Sequence, residues 1–388
     1  MSRPALVPDP KSLSGIFKGA GGVELANCHV IMNTPDACTF HLHCDSALFQ
    51  KHPKDLLVRL QTSDLADVAS IQRLAYTRLP DLVPPILDVG DTLSANATKL
   101  HHCITPFYTD AVPLSNVWDM LERDQQHEMM DLIVSAVEKL QDFEHTEMCL
   151  GSNNNSRGFD NLKYGKGPAD APRRACTCDT KRLIYSIVGG INESSRLLET
   201  DDGIVLEPLL KGMVRLELTS SELEELQKQV VLCHMDLEPR NVLVKERPDN
   251  EGGRCRYDLV AIIDWEMAGF YPFAYERGIK DTALGSSNLS FSWYSLFKQK
   301  TCHLLPSEDC HGKLLQLLWF VSEARKRQLP RNVGVRVQAK WVNRESIQRA
   351  ADPRQGWIRK TGCSAPRTFT KEDQESLEHE VLKELGLG

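Results

Sequence analysis

Cys233-His-Met-Asp-Leu-Glu-Pro-Arg-Asn-Val-Leu-Val244 and Ile262-Ile-Asp-Trp-Glu-Met-Ala-Gly-Phe-Tyr-Pro272 are the stretches on which the reading of this chain turns. The first sets a carboxylate, Asp236, five residues ahead of a carboxamide, Asn241. A carboxylate so placed can take the proton of a hydroxyl that attacks phosphorus, and the carboxamide oxygen can ligate a metal ion. The second follows Leu259-Val-Ala-Ile-Ile263, an apolar run of buried-strand type. A carboxylate at the end of such a strand is costly unless it is paired or holds a metal, which makes Asp264 a second candidate ligand. Glu266 lies two residues on, on the same side of an extended backbone. It is either a helper at a second ion or bound water, or a surface acid. His234 reads as a structural residue that hydrogen-bonds the loop so that Asp236 stays aimed. Arg240 has two readings, a phosphate contact or a solvated loop residue.

With both motifs in this order, the chain resembles the aminoglycoside phosphotransferase family of kinase-like enzymes, which is itself similar to choline and fructosamine kinases. The likeness is greatest to its divergent fungal members. It is strongest over 233–244 and 262–272, weaker from about Gly19 to Glu276, and reduced to mixed helical character over the last hundred or so residues. Protein kinases share the Asp-Leu-x-Pro-x-Asn core but carry Asp-Phe-Gly where this chain has Asp264-Trp-Glu266, which favours the small-molecule branch. The resemblance implies an α+β, two-lobed protein-kinase-like fold, with a small antiparallel-sheet N-lobe over 1–109 and a larger, mainly helical C-lobe over 110–388. It implies ATP and Mg²⁺ as cofactors and transfer of the γ-phosphoryl group to a hydroxyl of a small metabolite. Asp236 is then base or orienter, with Asn241, Asp264 and Glu266 on the metal. The rival from another class is a non-catalytic pseudokinase acting as a nucleotide-gated binding module.

Further residues follow from the resemblance. Arg59, in Asp55-Leu-Leu-Val-Arg-Leu60, occupies the place where kinase-like folds put a Lys that reaches phosphate. This is the main departure from the family, because a planar guanidinium grips oxygens bidentately rather than as a point charge. An acid on the following helix should pair with it, Asp67 first and Asp64 second. Gly15-Ile-Phe-Lys-Gly-Ala-Gly-Gly22 has the glycines of a phosphate-covering loop, Gly21 and Gly22 foremost, although it is neither Gly-x-Gly-x-x-Gly nor a Walker motif. The strand His102 to Tyr108 leads to the hinge, where adenine should sit against Phe107.

Composition bounds the alternatives. A length of 388 residues exceeds one ordinary core, and a net charge of −7 with scattered basic residues argues against nucleic acid. The opening has no signal-peptide core and no run of 18 apolar residues occurs, so a cytoplasmic protein without membrane contact is expected. The 12 cysteines contain no Cys-x-x-Cys pair. Cys302-His303 and Cys310-His311 invite a metal reading, but adjacent residues rarely both face one ion.

The local patterns agree with that architecture. Cys28–Met32, Thr39–Cys44 and Asp55–Leu60 read as strands, with a turn at 33–37. Residues 64–79 read as a helix closed by prolines, and Ile86–Val89 as a strand. Glu128–Phe143 places Met129, Leu132, Ile133, Ala136, Val137 and Leu140 on one buried face. Gly151–Pro172 reads as an exposed loop. Residues 179–230 read as two or three helical pieces, the last opened by a capping box, Thr219 with Glu222. A second box, Thr370 with Asp373, opens the final helix. Acidic residues from Glu199 to Glu225 could hold a cationic substrate, though a solvated face explains most of them.

Overall fold

A computed structural model of the chain describes residues 4–17, 23–44, 53–143, 180–189, 195–209, 211, 213–247, 255–363 and 369–387. The chain divides into two compact units, Met1–Pro113 with Asn241–Ala268, and Leu114–Arg240 with Gly269–Gly388. The division differs from a single break after residue 109: the hairpin that carries Asn241 and Asp264 packs with the N-terminal unit.

The first unit is built on a five-stranded antiparallel sheet. Its strands are β1 (Cys28–Asn33), β2 (Ala37–His43), β3 (Asp55–Gln61), β4 (Asp88–Leu93) and β5 (Lys99–Pro106), in spatial order β1-β2-β3-β5-β4. Alternation decides its two faces. Phe40, Leu42, Leu56, Val58, Leu60 and Ile104 point one way and pack on Leu13 and Ile16 of the helix α1 (Pro10–Ile16) and on Phe17, which caps its C-terminus. The intervening positions, Thr39, His41, Leu57, Arg59, Cys103 and Thr105, are half-buried and form the opposite face.

Helix α1 starts where the Asp9 carboxylate accepts the N–H groups of Lys11 and Ser12, both at 2.9 Å, with Pro10 at the first helical position. Gly15, expected in a phosphate-covering loop, lies inside this helix. A Cβ there would stand 2.2 Å from Thr92 Oγ1, so the glycine serves close packing of α1 on β4. Gly21 and Gly22 lie outside the described residues, as does the expected loop 151–172. The second helix, α2 (Ala66–Arg78), falls within the expected 64–79, and the Asp64 carboxylate accepts the Ala66 N–H at 2.8 Å at its start.

In the second unit, α3 (Arg123–Gln141) buries Met129, Met130, Ile133, Val134, Ala136, Val137 and Leu140. Leu132, expected on that face, is exposed. Residues 179–230 depart further from expectation. Helices Thr180–Val188 and Ser220–Lys228 flank a three-stranded antiparallel sheet, Ser195–Thr200, Gly203–Pro208 and Leu216–Thr219. The turn Asp201-Asp202 with Gly203 at φ 148° explains the hairpin, since only glycine takes that backbone readily. Two of the acids here are engaged locally: Glu199 meets Lys181 and Tyr185, and Glu222 meets Lys313 and its own cap at Thr219. Beyond them Val230–Cys233 pairs antiparallel with Gly269–Pro272, and the helices Phe273–Ala283, Phe291–Lys300, Asp309–Gln328, Val333–Arg344 and Lys371–Glu384 make up the remainder with a short hairpin, Ile347–Arg349 with Trp357–Arg359. The architecture is α+β, a small antiparallel sheet with helices in one unit and a mainly helical second unit.

Candidate active site

The candidate metal ligands sit at the root of one hairpin in the first unit. Val242–Arg247 and Arg256–Ile262 pair antiparallel with Val242 opposite Ile262, and the Asn241 carbonyl accepts the Ile263 N–H at 2.9 Å. This register brings the peptide of Asn241 beside the one that precedes Asp264. The strand is fixed from its other side by the Ile262 N–H, which donates to the Leu82 carbonyl at 2.7 Å. Asn241 is buried, whereas the Asp264 side chain keeps 43% of its surface exposed.

Asp264 has φ 65° and ψ 59°, the left-handed region. For a residue with a Cβ that costs about 1–3 kcal/mol, and it persists only where the surroundings impose it. The next side chain supplies the constraint. Trp265 is buried, its indole N–H donates to the Ile262 carbonyl at 2.8 Å, and the turn Trp265–Met267 packs on α2.

Arg59 reaches both acids from the half-buried face of β3. Its Nη1 lies 3.9 Å from Asp264 Oδ1, and Nη2 meets Glu266 Oε1. Burial pushes the guanidinium below its usual value and Asp264 opposes the shift. The expected partner Asp67 instead lies exposed in the first turn of α2. Because α2 packs against the Trp265–Met267 turn, the turn and not the helix start carries the acid to Arg59. Asp64, the second choice, caps α2. Phe107 is half-buried, its N–H donates to the Asp55 carbonyl at 3.0 Å, and its ring stacks on His41 with centroids 4.2 Å apart.

The loop that carries Asp236 belongs to the second unit, and its backbone is over-determined. Met235 has φ 67°, again left-handed without glycine. The His234 N–H donates to Glu276 Oε2 at 3.1 Å, and the Asp236 N–H donates to His234 Nδ1 at 3.3 Å. Thus His234 does hold the Asp236 peptide. Lys280 Nζ donates to the Leu237 carbonyl at 2.6 Å and lies 3.6 Å from the Glu238 carboxylate, which also accepts from Asn288 Nδ2 at 2.7 Å. Glu238, Glu276 and Lys280 are all buried. Burial pushes both carboxyls above their ordinary range, and Lys280 counteracts it in each.

Arg240 donates from Nη2 to Asp236 Oδ1 at 2.5 Å and from Nη1 to the Ser287 carbonyl at 2.8 Å. Of its two readings, the structure shows a third arrangement: it clamps the carboxylate. The charged support of this loop escaped the sequence reading. Its signal was Glu276 and Lys280 four apart in a segment otherwise rich in aromatic residues, which is a helix pair as easily exposed as buried.

In the Cys302-His303 and Cys310-His311 pairs each imidazole is hydrogen-bonded to a side chain from elsewhere in the chain. His303 Nε2 meets Glu138 at 2.8 Å, and His311 Nε2 meets the Gln229 side chain at 2.7 Å.

Comparison with known proteins adds one independent finding. Residues 191–279 match the family described as the phosphotransferase enzyme family, and this segment contains both motifs and Glu276. No curated protein matches the chain. Among solved structures it is similar to a thermostable mutant of the aminoglycoside phosphotransferase APH(4)-Ia, in a complex with ADP and hygromycin B. Identity there is 13%, 82% of this chain and 92% of the other are covered, and the TM-score is 0.42. It is also similar to macrolide 2'-phosphotransferase MphH from Brachybacterium faecium, at 12% identity, with 86% and 97% covered and a TM-score of 0.42. Likenesses at such scores carry no weight beside the observed elements.

Proposed function

We propose that the protein is an ATP-dependent phosphotransferase that moves the γ-phosphoryl group to a hydroxyl of a small molecule. One observation carries this reading: the segment matched to the phosphotransferase family holds Asp236, Asn241 and Asp264 at their motif spacing. Asn241, Asp264 and Glu266 offer carboxamide and carboxylate oxygens, the hard donors that suit Mg²⁺. The left-handed backbone at Asp264 supports the assignment, since such a cost is characteristic of a residue held for function. Bound Mg·ATP supplies the transferable group and neutralises charge on its oxygens. Asp236 accepts the acceptor hydroxyl's proton at a carboxylate oxygen and aims that hydroxyl. Arg240, anchored on Ser287, fixes the carboxylate's direction. Arg59 grips phosphate with its fork, exchanging its carboxylate partners for phosphate oxygens.

A cytoplasmic setting belongs to the same proposal. It is supported by the cysteines, none of which is in a disulfide among the described residues. No described helix is long and apolar enough to cross a membrane.

The pseudokinase reading keeps one specific support, Arg59 in place of lysine and engaged with Asp264 and Glu266. ADP release measured against a panel of hydroxylated metabolites, amines and aminoglycosides separates the two. At least one acceptor should stimulate release; ATP binding without any acceptor-dependent turnover would establish the binding module.

A further inference from the structure

The sheet of the first unit carries a cluster that phosphoryl transfer does not use. His41 and His43 are two apart on β2 and project to the same face, and the antiparallel register sets Asp55 of β3 directly opposite His43. His41 Nε2 and His43 Nδ1 each stand 2.8 Å from the same oxygen, Asp55 Oδ1. One ligand atom from each of the three residues lies within 4.8 Å of the other two, the one such grouping among the described residues. The side chains are 19%, 46% and 23% exposed for His41, His43 and Asp55, so an ion could reach them from solvent.

The cluster is held in place by its surroundings. β2 lies between β1 and β3, which fixes the strand that presents both imidazoles. The Phe107 ring stacks on His41, and the Phe107 N–H binds the Asp55 carbonyl.

We propose that His41, His43 and Asp55 form a binding site for a first-row divalent metal ion of the zinc class, with three protein ligands and an open coordination position. The donor set selects the ion: two imidazole nitrogens with one carboxylate suit zinc, cobalt, nickel or copper, whereas magnesium and calcium prefer oxygen alone. The spacing is compatible with tetrahedral ligation. Bonds of about 2.0–2.2 Å place ligand atoms about 3.3–3.5 Å apart, so each imidazole must retreat from Asp55 by only about half an ångström. Side-chain rotation suffices for that without a change of strand register. The site is separate from Asn241, Asp264 and Glu266, and it stands whether or not the phosphotransferase reading does.

The test uses the full-length protein stripped with chelator and dialysed, titrated with Zn²⁺ by calorimetry and with Co²⁺ by visible absorption. Wild type should bind one equivalent with Kd on the order of micromolar or tighter, and Zn²⁺ should raise its Tm. In His43→Gln and Asp55→Asn, each checked for native circular dichroism, binding should weaken by more than about 100-fold, beyond what loss of an outer-shell partner does. The Co²⁺ form should show no thiolate charge-transfer band. Binding that persists in both variants, a thiolate band, or no binding by wild type would each overturn the site.

Discussion

Asp264 and Arg59 define what single residues contribute to the nucleotide side of the account. Asp264→Asn removes one charge at a backbone position that asparagine also tolerates, so the fold should survive. Its effect should appear as weaker nucleotide binding in the presence of Mg²⁺ and little change in its absence; calorimetry giving equal Mg·ATP affinity in variant and wild type contradicts the ligand role. Arg59→Ala should raise the KM for ATP roughly ten- to hundredfold, the worth of a hydrogen bond to a charged group at about 1.5–3 kcal/mol. Its Tm should move little, because a partly exposed ion pair contributes about 0–1 kcal/mol. A large loss of Tm with unchanged KM would make Arg59 structural. At this scale Asp236, Asn241 and Asp264 stand out in the sequence because they lie in contiguous motifs. The acid that meets Arg59 was not, since Glu266 reaches it only through the packing of α2 on the Trp265–Met267 turn.

Elements add the rigidity that motifs cannot show. Helix Phe273–Ala283 sends Glu276 to the His234 N–H and Lys280 to the Leu237 carbonyl, so one helix holds both shoulders of the Asp236 peptide. Lys280→Met leaves Glu238 buried without its cation, which should cost about 3–5 kcal/mol in urea unfolding. A loss below about 1 kcal/mol would show the network to be dispensable. The same helix meets Phe291–Lys300 through Asp281 and Lys298, 3.0 Å apart and both buried. Burial outweighs Asp281 and pushes Lys298 down to about 8 from 10.5. Between these values the unfolded chain binds more protons than the native one, so this lysine makes stability rise with pH from about 8 to about 10.5. Lys298→Met should flatten that rise, as measured by urea unfolding at several pH values across the window; an identical slope would contradict the depressed value. The strands of the first sheet could be read from apolar alternation. Residues 195–219 could not, because charged and apolar residues fall near helical spacing there while the Asp201-Asp202-Gly203 turn decides for a hairpin.

For the whole molecule, the α+β class and a small sheet followed by a helical remainder followed from the order of strand-like and helix-like segments. The membership of 241–268 in the N-terminal unit did not, since sequence order carries no sign that a returning hairpin packs with residues more than a hundred positions earlier. Substrate identity is equally silent in the sequence: of the acids from Glu199 onward that could attract a cation, Glu199 meets Lys181 and Tyr185 and Glu222 meets Lys313. The central claim is transfer to a small molecule through Asp236, and γ-labelled ATP tests it most directly. Wild type and Asp236→Asn are incubated with a metabolite extract, with casein and with myelin basic protein, and the label is followed into small molecules and protein bands. The account predicts label in the small-molecule fraction with wild type and roughly 100- to 10,000-fold less with Asp236→Asn at similar ATP affinity. Label confined to protein, equal transfer by both proteins, or no transfer despite ATP binding would contradict it.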